Sequence, residues 1–489
     1  MKNSIAFGVI TGVLLLSTTV STQSQTYRAA ITLFKPNDTS QNTPDEDVSE
    51  NSANYVKYIQ QIKDKADIII FPEYGLTKID VMLKQIYHLD SFSTEVKDVG
   101  YQYKNCTVND NLAKIACAAK ENNVYVLFNL VEKQNNMSYF VTNVAIDSNG
   151  TICLKCRKHH LNNGTSFSQG ENQKSCSFTA KFKNVSTDFA VMYETDMLYA
   201  IPDFLKKDNI IMTSAIKNSL PFEYGPSLHA GFAINNNVNL LVSEYSDTKE
   251  ATNGYGGSGI YLSNGTSLLA LDSKADNNFL IKEIPLTSDS SSKKSVRVQI
   301  QGNIPSWNLA FLKASHIPNA NKTVQQCLQD QNFCCKFTAD ISQDNIEPYR
   351  WVVLQNKSTI LDQRVDIFIC ALVKPAATSK TLSFKSVDIT STVKHRPTIQ
   401  TLPIGVTSTF SLPNFEYTSD RTNEKSLTLL KEDEILSFGI VRILGPSSSN
   451  SSMTGIIIGV VLGVLVVLAL AAVGYWWYKR NGGYMRPGK

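Results

Sequence analysis

Three charged side chains stand where apolar runs end, and their types suit acid–base and acyl-transfer chemistry. Ile68-Ile-Ile-Phe-Pro-Glu73 reads as a buried strand that delivers a carboxylate at its carboxyl end, where a general base meets substrate. Cys156-Arg-Lys158 ends a second strand on a basic residue, and Phe189-Ala-Val-Met-Tyr-Glu194 ends a third on another carboxylate. A covalent mechanism wants a nucleophile such as a thiol at one of these ends, yet no cysteine lies between Cys176 and Cys327. A single strand-terminal glutamate is commonly just solvated, but three such ends together suggest one site.

Other candidates weigh less. Cys156 lies two residues before Lys158 on the same strand face, a full pleat back from the strand end, so a disulfide or buried thiol is the better reading. Cys153 and Cys156 form a Cys-X-X-Cys, which on a strand of a secreted chain is not by itself a redox motif. His159-His160 has no partner at i, i+4, so no metal site is expected, and no cofactor is implied.

The elements that must hold these residues alternate strand and helix. Arg28–Leu33, Ile68–Phe71, Val124–Leu130, Phe189–Met192 and Ile210–Thr213 read as strands, and Asn54–Lys63 and Asp110–Glu121 as helices. Tyr139–Asp147 and Thr151–Arg157 form an expected hairpin turning at Ser148-Asn-Gly150. Paired strands between helices imply an α/β layered domain over 25–286. Residues 287–295 are Ser-rich and read as a linker. A β-rich domain is expected over 296–444, with short alternating runs such as Trp351–Leu354, Val365–Cys370 and Thr381–Ile389.

Taken together, Phe71-Pro-Glu-Tyr-Gly75, Arg157-Lys-His-His-Leu161, Gly170-Glu-Asn-Gln173, the Phe189–Leu198 segment with Asp196, Val238-Asn239-Leu240 and Gly257-Ser-Gly-Ile-Tyr261 resemble the vanin and biotinidase branch of the carbon–nitrogen hydrolase, or nitrilase, superfamily. Cys327, the Cys334-Cys335 doublet and Cys370 resemble the cysteine pattern of that branch's accessory domain. The resemblance implies a nitrilase-type α-β-β-α sandwich followed by the β-rich domain. It also implies hydrolysis of linear amides such as pantetheine or biotin amides, with Glu73 as general base, Lys158 as oxyanion stabiliser and proton donor, and position 194 as the cysteine nucleophile.

Position 194 departs from that pattern. A carboxylate attacking an amide would form a mixed anhydride by expelling a poor leaving group, beside the like charge of Glu73, so Glu194 is expected to pair with Lys158 and fill the pocket. The resemblance also places a pocket tryptophan at 216 and a glutamate at 227, which here are Ile216 and Ser227. The expected function is therefore that of a pseudoenzyme binding a small amide-type ligand. An active amidohydrolase with a non-standard nucleophile and an adhesive, receptor-type protein are the alternatives.

The termini set the compartment. Residues 1–24 have the order of a secretory signal: Met1-Lys-Asn, an apolar stretch Ile5–Leu16, and a small polar run. A Ser-rich stalk, 445–453, leads to an apolar segment, 454–475, long enough to span a bilayer core of roughly 30 Å. Aromatic and basic residues follow in a short tail, 476–489, which fits a single-pass plasma-membrane protein with an extracellular N-terminus; a lipid (GPI) anchor is the alternative. Gly455, Gly459 and Gly463 share one face of that segment and would allow close helix pairing in a homodimer.

Sequons at Asn37, Asn105, Asn136, Asn149, Asn163, Asn184, Asn264, Asn321, Asn356 and Asn450 all precede the apolar segment and suit glycosylation. Nine cysteines in an oxidising compartment leave at least one unpaired. The net charge of +4 over 489 residues argues against a nucleic-acid partner.

Overall fold

The computed structural model describes residues 25–444 apart from 37–41, 78–88, 107–109, 136–137, 162–164, 172–175, 184, 200–205, 219–223, 247–254, 271–278, 289–292, 296, 302–322, 329–331, 342–348, 361–362, 375–382, 394–398, 408–411, 420–423 and 434. The expected signal 1–24, stalk 445–453, spanning segment 454–475 with its three glycines, and tail 476–489 lie outside the described residues. So do Asn37, Asn136, Asn163, Asn184, Asn321 and Asn450. Among the described residues no helix is long and apolar enough to cross a membrane.

The first sheet is built from β1 (Thr26–Thr32), β2 (Ile68–Ile70), β3 (Ser93–Thr94), β4 (Tyr125–Gln134), β5 (Ser138–Ile146) and β6 (Ile152–Arg157). A second contains β7 (Ser177–Lys181), β8 (Ser186–Tyr193), β9 (Asn209–Ser214), β10 (Asn239–Glu244), β11 (Gly259–Tyr261) and β12 (Thr266–Ala270). β13 (Phe279–Pro285) returns to the first sheet beside β1, giving the order β13-β1-β2-β4-β5-β6 with β3 beside β4. β2 lies parallel to β1 and β4 and is buried on both faces, which is why it reads as an uninterrupted isoleucine run. β6 runs antiparallel to β5, and β5 to β4, so β6 points the same way as β2 and their carboxyl ends share one edge. In the second sheet β8, β9 and β10 are mutually parallel.

The strand period sorts the side chains into layers. Ile68 and Ile70 of β2 meet Val191, Ile211 and Leu241 in the core between the sheets. Ile69 instead faces the helices α1 (Pro44–Gln61) and α3 (Asn111–Glu121), packing with Ile59 and Ile115; the short α2 is Leu89–Phe92. Helix α1 starts well before the expected Asn54, because Thr43 and Glu46 form a reciprocal capping box with Pro44 at the first turn. On the outer side of the second sheet lies α4 (Gly225–Asn236), buried on all sides from Gly225 to Ile234. The layers are α-β-β-α.

The Ser-rich segment is not an open tether. β14 (Lys293–Ser295) falls within the expected linker, and β15 (Arg297–Gln301), expected in the second domain, pairs parallel with β12 and extends the first domain's second sheet. The remaining strands are β16 (Val324–Leu328), β17 (Phe333–Ile341), β18 (Arg350–Ile360), β19 (Gln363–Val373), β20 (Ser383–Val393), β21 (Ile399–Thr407), β22 (Phe415–Ser419), β23 (Glu424–Asp433) and β24 (Ile435–Leu444). They form two antiparallel sheets, β14-β22-β23-β20-β17-β16 and β18-β19-β24-β21, around Phe337, Trp351, Phe384 and Phe438. β21 packs on α4 so closely that a Cβ at Gly231 would stand 2.3 Å from the Pro403 carbonyl oxygen.

Disulfides join Cys106 to Cys117, Cys156 to Cys176, Cys327 to Cys334 and Cys335 to Cys370. Cys153 is the unpaired cysteine.

Candidate functional site

Each charged strand end is held by its own local structure. β2 runs out into Phe71-Pro72-Glu73, and the next residue, Tyr74, takes a left-handed backbone with φ of 57°, unusual for a bulky side chain. The Tyr74 N–H donates to Asn129 Oδ1 at 3.1 Å, and Asn129 Nδ2 donates to Asn143 Oδ1 at 2.9 Å, so β4 and β5 fix the turn that carries Glu73. At the end of β6 the Lys158 N–H donates to the Val141 carbonyl at 2.8 Å, and the Lys158 carbonyl accepts from Gly170 N–H at 2.9 Å. Position 170 must be glycine there, since a Cβ would stand 2.5 Å from the Arg157 oxygen. The Cys156–Cys176 disulfide ties β6 to the start of β7 one residue short of Arg157.

Glu194 opens a 3-10 turn, Glu194–Leu198, directly after β8. Asp196 closes it: Tyr193 N–H donates to its Oδ2 at 2.9 Å, and its Oδ1 lies 2.7 Å from His160 Nδ1. Thr195 Oγ1 donates to the His160 carbonyl at 2.9 Å, and the His160 ring stacks on Tyr199. His160 is thus a brace for the turn.

The three strand ends converge. Lys158 Nζ donates to Glu73 Oε1 at 2.8 Å and to Glu194 Oε1 at 2.9 Å, so the expected pairing of Lys158 with Glu194 is present and Glu73 shares the same ammonium. All three are buried, with Glu194 alone retaining a 4% exposed edge. The two carboxyls also hydrogen-bond each other, which requires one shared proton, and the pair titrates as a unit. Burial, then the charge of Glu194, hold Glu73 well above the usual carboxylate range despite Lys158. Burial opposes ionisation of Glu194 too, but the Lys158 charge and the hydrogen bonds from Glu73 and Lys158 outweigh it, so its pKa is lowered. Burial likewise disfavours the Lys158 ammonium, and the charges of Glu194 and Glu73 reverse that effect and raise it well above its ordinary value. The resting set is therefore a neutral Glu73 acid, a Glu194 carboxylate and a Lys158 cation.

The profile of the family described as carbon–nitrogen hydrolase matches residues 39–201, a span that holds Glu73, Lys158 and Glu194. Vanin-like protein 1 of Drosophila melanogaster is 25% identical over 332 residues, covering 59% of this chain and 57% of that protein. Pantetheine hydrolase VNN2 of Homo sapiens is 28% identical over 193 residues, 36% of each chain. Biotinidase of Mus musculus is 27% identical over 226 residues, 42% of this chain and 43% of that protein. Residues 39–201 thus carry a carbon–nitrogen hydrolase domain, and the relatives support its vanin and biotinidase branch. The matched stretches span little more than half of the first of these relatives and less than half of the other two.

Within this branch, what the site lacks is as informative as what it holds. No thiol other than Cys153 is free, and Cys153 lies half-buried along β6 with its Sγ 3.4 Å from the Ala145 carbonyl oxygen. Burial pushes that thiol up to about 12, so it stays protonated and unreactive at neutral pH. Among the described residues no group of three His, Cys, Asp or Glu side chains could hold a metal ion.

Two residues of the pocket escaped the sequence reading. Glu244 ends β10 as Glu73 ends its own strand, and its carboxyl accepts from the Ile216 N–H. Burial, then the charge of Glu194, raise its pKa well above the usual range against the pull of Ser214 and the Ile216 N–H. His229 on α4 is fully buried and is pushed down to about 3 by burial, which the charge of Glu194 only partly offsets. Ser227 faces elsewhere: its Oγ accepts from Gly405 N–H of β21 at 2.9 Å, joining the two domains.

Proposed function

We propose that this protein is a non-hydrolytic member of its family whose pocket binds a small ligand. One observation carries the reading: the residue at the nucleophile position is a carboxylate clamped to the lysine and hydrogen-bonded to the general base. Each consequence blocks a step of amide hydrolysis. Glu194 is a poor acyl acceptor from an amide, because the anhydride it would form is more reactive than the amide it replaces. Glu73 is held protonated, so it cannot accept a proton from an attacking group. Lys158 spends its hydrogen bonds on the Glu194 carboxylate and the Glu73 carboxyl and has less to offer a developing oxyanion.

The experiment is Glu194→Cys. The unmutated protein should not turn over pantetheine or a biotinyl amide. The variant removes the like charge beside Glu73 as it supplies a thiol, so base and nucleophile return together and turnover should be gained. Hydrolysis by the unmutated protein refutes the proposal.

The proposed setting is the cell surface. The signal-like segment, the apolar segment 454–475 and the sequons support a glycoprotein anchored with its folded part outside. The sequon asparagines Asn105, Asn149 and Asn264 are exposed, and four disulfides suit an oxidising compartment.

A further inference from the structure

We infer that Tyr193 is the positioning residue of the charged set: its phenol fastens the turn that carries Glu194 to the strand end that carries Lys158, and so fixes the contact between them. The inference goes beyond the non-hydrolytic reading and does not depend on it, since it concerns how the set is held and not what the set can turn over.

The need for such a residue is geometric. Lys158 follows β6 of the first sheet and Glu194 follows β8 of the second, and the two sheets meet through aliphatic side chains such as Ile68, Ile70, Val191 and Ile211. Apolar contact is non-directional, so it holds the sheets together without fixing how far one slides over the other. A contact of 2.9 Å between Lys158 Nζ and Glu194 Oε1 needs a directional tie beside it.

Tyr193, fully buried, supplies one. It is the last residue of β8, directly before Glu194, and its side chain reaches the first sheet. There the phenolic oxygen accepts from the Asn143 N–H at 2.8 Å, and the hydroxyl donates to the Cys156 carbonyl at 2.8 Å with the Val141 carbonyl 3.1 Å away. Asn143 and Cys156 face each other across β5 and β6, and the Val141 carbonyl is the one that accepts the Lys158 N–H. The hydroxyl therefore sits on the seam of β5 and β6 at the rungs that aim Lys158. The Lys158 ammonium in turn lies over the same ring, 5.3 Å from its centroid. Thr213, the register partner of Tyr193 on β9, repeats the tie by donating from Oγ1 to Asn143 Oδ1 at 3.0 Å. On the far side of the turn Thr195 and Asp196 hold His160, so Glu194 is pinned from both sides. Tyr193 is the pin that meets both the seam and the ammonium.

Tyr193→Phe tests this, because phenylalanine keeps the ring and removes only the hydroxyl, and Asn143 and Cys156, being register partners, can bond each other in its place. Opening the ion pair from 2.9 Å to about 5 Å would end its hydrogen bond and leave about six-tenths of its Coulomb attraction. The measurement is a double-mutant cycle on the full-length protein by urea unfolding at pH 7. Lys158→Met should lower the unfolding midpoint about half as much in the Tyr193→Phe background as in the parent. Tyr27→Phe is the control: it removes another buried phenol that crosses between the sheets, to Asn209 Oδ1 at 3.0 Å, but at the amino ends of β1 and β9, and it should leave the Lys158→Met shift unchanged. A pH profile separates positioning from simple packing. The lowered pKa of Glu194 gives stability that is complete above its unfolded value, and a loosened pair lowers that pKa less, so the midpoint loss caused by Tyr193→Phe should shrink from pH 7 to pH 4 while that of Tyr27→Phe stays flat. Equal Lys158→Met shifts in the parent and Tyr193→Phe backgrounds, the same reduction with Tyr27→Phe, or a Tyr193→Phe loss that is flat with pH overturns the inference and leaves the non-hydrolytic reading standing.

Discussion

Lys158→Met tests the charge assignment of the site directly. Methionine keeps the length and flexibility of the side chain and deletes the ammonium that sits 2.8 Å from Glu73 and 2.9 Å from Glu194. Glu73 is already neutral, so the loss falls on Glu194, which must either remain as an uncompensated buried anion or take up a proton. Protonation is the cheaper course. Neutrality lies about 2.7 pH units above an ordinary glutamate pKa, and at about 1.4 kcal/mol per unit the cost at pH 7 is at most about 3.7 kcal/mol. That agrees with the loss of about 3–5 kcal/mol seen when one partner of a buried pair is removed.

The sign of the pH dependence follows. In the unmutated protein Glu194 has a lowered pKa, so its stabilising contribution is complete above the unfolded value and is lost only as pH falls through the lowered one. In the variant its pKa is raised, so stability is greatest below the unfolded value and declines as pH rises. The destabilisation should therefore be about 1 kcal/mol at pH 5 and about 3 kcal/mol at pH 7. Urea unfolding at the two pH values measures it, followed by tyrosine near-ultraviolet circular dichroism, because all four tryptophans lie beyond residue 286 and do not report on the first domain. A difference that is flat with pH, or a variant as stable as its parent at pH 7, would show that Glu194 does not carry the charge opposite Lys158.

Two further outcomes concern the scaffold. Gly231→Ala should separate the thermal transitions of the two domains and speed proteolysis between them, at a cost of about 1–3 kcal/mol, because its Cβ meets backbone at Pro403 and a backbone carbonyl cannot rotate away; a single unchanged transition would count against the docking of β21 on α4. The folded protein should show no fast-reacting thiol toward an aromatic disulfide reagent and one thiol per chain after denaturation, as expected with Cys153 alone unpaired and its thiol held protonated; a rapid native reaction would place a reactive thiol in the folded state.

The site was legible wherever its signal was local. Glu73 and Glu194 each follow an uninterrupted apolar run and Lys158 an alternating one, and a strand pattern that ends on a charge announces both the strand and the edge it reaches. Glu244 carries the same signal, since Leu240–Val242 is apolar and Ser243-Glu244 ends it, so the rule that found Glu73 would have found this residue too. The protonation of Glu73 was not legible, because it depends on how closely a second carboxyl approaches from the other sheet. The partner of Ser227 was not legible either: it accepts a hydrogen bond from Gly405, a residue far along the chain. The serine-rich composition of 287–295 described the local chain correctly and missed its fate, since β14 and β15 form only because β22 and β12 present free edges to them.

The carboxylate at position 194 does more than fill space. It adds a charge to a buried site, and the nearest groups must absorb it: Lys158 by pairing, Glu73 by keeping a proton. Stability does not account for the result, because a buried ion set is often no more stabilising than apolar side chains of the same volume. Nor does it account for His229, whose buried ring nitrogens lack a hydrogen-bond partner at about 1–3 kcal/mol each relative to a satisfied state.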